Sequence, residues 1–99
     1  MRRGCRVDDN QAEIVRVLRD MGAKVEDCSR MGSGYPDLNV IYRSRIVFAE
    51  VKDGRKPPSR RELTPDQVKF HEACAMHDVK VHIITCVDDA VDLIREMRK

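Results

Sequence analysis

"IVFAEVKDG", residues 46–54, decides how this chain is read. Ile46 and Phe48 alternate with Val47, Ala49 and Val51, so an extended segment here presents apolar side chains on both faces. Such a strand runs through the middle of a sheet that is covered on both sides. Yet it finishes on Glu50 and Lys52, an acid and a base that alternate with Val51 and therefore project to the same side. "DLNVIYR" (residues 37–43) reads as a neighbouring strand, joined to the first by a tight turn near Ser44.

Upstream, Ile14, Val17, Leu18 and Met21 recur at helical spacing, which predicts a helix over residues 11–21. Asp9 or Asn10 can cap it and Gly22 ends it. "AKVEDCS" (residues 23–29) reads as a short strand, and "RMGSGYPD" (residues 30–37) as a loop. Downstream, "DGRKPPSRREL" (residues 53–63) is a basic, proline-containing loop. Thr64, Pro65 and Gln67 then supply an N-cap, a first-turn proline and a capping box. Val68, Phe70, Ala73 and Cys74 are expected to face the core from that helix. "VKVHIITC" (residues 79–86) alternates into a last strand. Asp88 or Asp89 starts a final helix with Val91, Ile94 and Met97 inward. The order helix-strand-strand-strand-helix-strand-helix predicts one α/β domain over residues 1–99, with a mixed sheet flanked by helices.

Composition bounds the function. The 99 residues carry 19 Lys and Arg against 17 Asp and Glu, a net charge of +2, so any footprint for nucleic acid must come from local clustering. Cys5, Cys28, Cys74 and Cys86 are scattered without a CxxC pair and read as reduced, mostly small core residues, which predicts a cytoplasmic setting. Cys74 and His77 are too few ligands for a structural zinc site. "MRRGCRVDDN" has no apolar signal core, and no apolar run approaches the roughly 18 residues of a spanning helix, so no membrane association is expected.

If the strands at residues 37–43 and 45–52 are antiparallel neighbours, the start of one lies near the end of the other. Asp37, Glu50 and Lys52 then converge at one edge of the sheet. Two carboxylates so placed repel each other unless positive charge comes between them, and a hard divalent cation such as Mg²⁺ fits. The plainer reading of the same residues is a solvated Glu–Lys pair and an aspartate in turn chemistry.

The spacing from Pro36-Asp37 to Glu50-Val51-Lys52 across a hairpin resembles the PD-(D/E)XK nuclease superfamily, with its restriction-endonuclease-like core. The longer string "GSGYPDLNV…VFAEVKDGRKPPSRRELTPDQVKFH" resembles the VRR-NUC family (virus-type replication–repair nuclease), from about residue 10 to about residue 94. That resemblance implies a metal-dependent endonuclease that uses Mg²⁺ (or Mn²⁺). Its metal ligands would be Asp37, Glu50, the Val51 carbonyl and Glu13, with Lys52 as the catalytic lysine and Gln67 as the motif glutamine. It also implies a homodimer acting on branched DNA in the manner of a Holliday-junction resolvase, of viral or prophage origin. A nuclease for flaps, duplex ends or RNA, or a non-catalytic nucleic-acid-binding module, are the alternatives. Glu13 reads equally as a solvated helix charge and Gln67 as the capping-box partner, while His71, one turn beyond Gln67 on the same face, reads as a partly buried structural histidine ahead of a substrate contact. Arg55, Lys56, Arg60, Arg61 and Lys69, with Arg30 and Tyr35 on the other flank, are candidate phosphate contacts or an ordinary exposed surface. With two Tyr, two Phe and no Trp, an extensive base-stacking platform is not expected.

Overall fold

The computed structural model describes residues 8–99. Its elements are α1 (Gln11–Asp20), β1 (Lys24–Asp27), β2 (Leu38–Tyr42), β3 (Arg45–Val51), a short 3-10 turn (Pro58–Arg60), α2 (Pro65–Ala75), β4 (Val81–Ile84) and α3 (Val87–Met97). The four strands lie in the order β1-β2-β3-β4. β1, β2 and β3 pair antiparallel and β4 joins β3 in parallel, so the sheet is mixed. The parallel pair requires a crossover, and α2 lies within that connection.

α1 and α3 cover one face of the sheet. Ile14, Val15 and Leu18 of α1 and Ala90, Leu93, Ile94 and Met97 of α3 are buried with Val25, Leu38, Val40, Ala49 and Val51. The inward stripe of α3 therefore runs through Ala90 and Leu93 rather than the expected Val91, which is only half-buried. Its N-cap is Cys86, and Asp89 accepts from the Thr85 N–H and hydroxyl at 2.8 Å each.

The other face is covered differently. α2 has no fully buried residue, and the expected inward set is corrected: Val68 and Ala73 are exposed. The face of α2 turned to the sheet is Gln67, Phe70, His71 and Cys74, a helical stripe of half-buried residues. Tyr35, Phe48 and Phe70 form a cluster of edge-to-face rings with centroids 5.3–5.8 Å apart, which fixes α2 to β3. Pairs of this geometry add roughly 0.5–1.5 kcal/mol each beyond the area they bury. β3 is thus covered on both faces only in its second half, and Ile46 at its start is 63% exposed.

The cysteine expectation also changes. Cys28 and Cys74 are half-buried and Cys86 is exposed, so none of these is a core residue, while Cys5 lies outside the described residues. Among the described residues no helix is long and apolar enough to cross a membrane.

Candidate active site

The register of β2 and β3 sets the site. Leu38 pairs with Ala49, so Asp37, just before β2, arrives beside the end of β3. There its Oδ2 accepts the Val51 N–H at 2.8 Å. Glu50 and Lys52 share the α2 side of the sheet with Asp37, because side chains alternate along a strand. Glu50 is 0% exposed.

α2 supplies the remaining contacts. Gln67 Nε2 donates to Glu50 Oε1 at 3.4 Å, and His71 Nε2 lies 3.2 Å from Glu50 Oε2. The Lys52 ammonium donates to Gln67 Oε1 at 3.0 Å. The same oxygen accepts the Thr64 N–H at 2.9 Å, and Thr64 Oγ1 accepts the Gln67 N–H at 3.2 Å. Gln67 therefore completes the capping box and joins the site at the same time.

Burial dominates the electrostatics. It pushes the Asp37 carboxyl up to about 7, with the Glu50 charge adding to the rise and the Val51 N–H opposing it. Burial raises Glu50 as well, against the pull of Asp37 and Lys52. Two acids held together out of water resist ionising together. His71 is lowered, first by burial and then by the Lys52 charge.

A groove of about 590 Å³ opens above these groups, lined by Asp37, Lys52 and Gln67 and by Lys56, Ser59 and Arg60 of the basic loop. Gly32, Ser33, Gly34 and Tyr35 form another part of its lining, and Asp8, Glu62 and Asp66 bring acids to its rim. Glu50 sits beneath this lining.

The structure does not gather every expected residue. Glu13 is exposed on α1, within electrostatic range of Arg55, and does not join the Asp37–Glu50 pair. Among the described residues no group of three or more His, Cys, Asp or Glu side chains is placed to hold a metal ion, which corrects the three-acid expectation. Arg55 is bound through two nitrogens to the buried Asp53 at 2.9 and 3.0 Å, and its bonds hold the Asp53 carboxyl down at about 2. It braces the loop. Lys69 is exposed on α2 off the sheet-facing stripe, and Arg30 lines a separate hollow with Asp27, Cys28, Ser29 and Met31. Arg61 is half-buried with its Nε unpaired. Lys56 and Arg60 are the loop cations that reach the groove, although Lys56 lies 3.8 Å from Asp8 and 3.9 Å from Asp9.

Sequence reasoning missed the contact of His71 with Glu50 and the contributions of Asn10 and Asp8. Asn10, expected as a cap, makes no capping bond. Its Nδ2 instead donates to the Lys52 carbonyl at 3.3 Å and the Thr85 carbonyl at 3.1 Å, tying the start of α1 to the end of β3. Asp8 lines the groove, and no local pattern distinguishes it from Asp9.

A mixed sheet whose antiparallel hairpin brings an aspartate against an ExK strand end defines a class of fold. The chain is similar to a solved structure described as a VRR_NUC domain, at 26% identity, covering 89% of this chain and 97% of that one, with a TM-score of 0.65. The likeness supports the VRR-NUC family for this chain and confirms the α/β fold. No protein-family model matches the chain, and no curated protein matches it.

Proposed function

We propose that this chain is a metal-dependent endonuclease that hydrolyses DNA phosphodiester bonds, acting as a homodimer on branched DNA. The observation that carries the reading is half-buried Asp37 paired with fully buried Glu50 beside Lys52, with Asp37 and Lys52 lining a groove that Lys56 and Arg60 enter and Glu50 just beneath it. The VRR_NUC neighbour supports a nuclease-type function.

The donor set fits a hard divalent cation. Two acids whose burial opposes joint ionisation are relieved by positive charge between them, and Mg²⁺ is satisfied by one or two carboxylates while keeping several waters. Asp37 and Glu50, with the Val51 carbonyl, would hold Mg²⁺ or Mn²⁺. Such an ion lowers the pKa of a bound water and neutralises charge developing on the phosphoryl oxygen. Lys52, held by Gln67, orients the attacking water and offsets charge at the scissile phosphate. Lys56 and Arg60 bind backbone phosphates without reading sequence. A two-fold pair of such grooves presents one site to each of two strands at a branch.

The test is cleavage of four-way junction, flap, duplex and single-stranded DNA and of RNA, in Mg²⁺, Mn²⁺ or EDTA. Junction cleavage that EDTA abolishes is expected. Lys52→Ala and Glu50→Ala should lower it by roughly 10²-fold or more while the protein still melts cooperatively. Cleavage that survives either substitution contradicts the site, and binding without cleavage in any metal leaves a non-catalytic module.

A further inference from the structure

Glu50 is fully buried, yet both its oxygens are engaged from one helix, with Gln67 on Oε1 and His71 on Oε2 at 3.2 Å. Gln67 and His71 stand one turn apart on α2 and grip the carboxylate between them. A carboxylate has about four acceptor positions, two on each oxygen, so two donors leave capacity on both. When Glu50 is ionised, the imidazole can only donate to it, which puts the ring hydrogen on Nε2.

A helix-anchoring role for His71 is redundant. α2 is already held by the Phe70 ring against Tyr35 and Phe48, by the Lys52–Gln67 bond, and by close approach of its first turn to Gly34. Gln67 also cannot fix the carboxylate alone, since its amide is shared with Lys52 and Thr64 and reaches Oε1 only at 3.4 Å. One long bond leaves a carboxylate free to tilt, whereas a bond on each oxygen sets its plane.

We infer that His71 is a positioning residue whose Nε2–H fixes the orientation in which Glu50 meets the cation and Asp37. This rests on the nuclease reading, since it takes Glu50 as a metal-holding group.

The test compares wild type, His71→Gln and His71→Met. Gln can return an N–H near the place of Nε2, whereas Met matches its length and cannot donate. Mn²⁺ affinity of the protein alone is measured by calorimetry, and DNA cleavage is measured alongside it. The long-range ¹H–¹⁵N spectrum of the wild-type imidazole in Mg²⁺ gives the tautomer. His71→Met should lose roughly 10–100-fold in Mn²⁺ affinity and in cleavage rate, with KM for the DNA little changed, and His71→Gln should recover most of that loss. The wild-type ring should carry its hydrogen on Nε2. A Met variant equal to wild type, Met and Gln variants equally impaired, or a hydrogen on Nδ1 would each overturn the inference while wild-type activity upholds the nuclease reading. A wild type that neither binds Mn²⁺ nor cleaves overturns both. Should His71→Met fail to fold, the tautomer and the His71→Gln affinity still decide.

Discussion

Gln67 meets two demands because an amide oxygen carries two lone pairs. One takes the Thr64 N–H and the other the Lys52 ammonium, while the amide nitrogen turns to Glu50. Capping and site service, which from the sequence are alternative readings of this side chain, are simultaneous. Thr64→Ala should remove the cap and cost about 0.5–2 kcal/mol, with a modest loss of cleavage. Gln67→Ala should cost a similar amount of stability and lower cleavage roughly tenfold further, because it also frees Lys52. Urea melts beside initial rates check this, and equal rates for the two variants would contradict it. Asp37, Glu50 and Lys52 were legible as neighbours because strand alternation and one hairpin fix their placement. Glu13 was not. A residue at the margin of an apolar stripe borders the core, but periodicity does not say which margin approaches the end of β3. His71 was missed for a related reason: its contact depends on how α2 is rotated.

That rotation separates the elements that were legible from the one that was not. α1 and α3 carry concentrated apolar stripes, and their buried faces follow helical spacing closely. α2 spreads its apolar residues around the helix, so its orientation is set from outside, by Tyr35, Phe48 and the loop before β2. Gly34 is the tightest of these constraints. It sits at φ +80°, and a β-carbon there would lie 2.2 Å from the Asp66 carbonyl oxygen at the first turn of α2. Gly34→Ala must therefore push α2 off the sheet or shift the loop, at a cost of about 1–3 kcal/mol for backbone strain alone. The displaced helix carries Gln67 and His71 with it, so cleavage should fall with stability. Retained activity with an unchanged urea midpoint would show that α2 is not seated through this contact. The β2–β3 turn permits the opposite experiment. Arg43 and Ser44 hold φ values of +49° and +70°, the paired left-handed geometry of a tight hairpin. Replacing them with Asn-Gly should stabilise the protein by about 0.5–2 kcal/mol and leave the far end of β3, where the site lies, unchanged. A lower melting temperature would contradict that assignment.

For the molecule as a whole, the site and the basic loop pull stability in opposite directions with pH. Asp37, at about 7 in the folded protein against an ordinary 3.8, makes the folded state the stronger proton binder. Its contribution is complete below about pH 4 and is lost as pH rises through about 7. Glu50 acts in the same direction. Asp53, held at about 2 by Arg55, does the reverse: its contribution is present above the ordinary carboxylate range and is lost as pH falls toward about 2. In EDTA the melting temperature should therefore be highest in the mildly acidic range and decline toward pH 8, and Asp37→Asn should flatten the alkaline side of that profile. On the proposed metal-dependent reading a cation would change this balance, because its binding would require both acids to be ionised and so compete with the protons that stabilise the free protein. At a free Mg²⁺ concentration about a hundredfold above its Kd, binding adds about 2.7 kcal/mol. For a domain of this size that corresponds to a rise of roughly 10–20 °C in Tm. The rise should be large at pH 8, small at pH 5, and absent in Asp37→Asn at either pH. Equal Mg²⁺ stabilisation at pH 5 and pH 8, or stabilisation that survives Asp37→Asn, would mean that the ion binds elsewhere and that the Asp37–Glu50 pair is not its site.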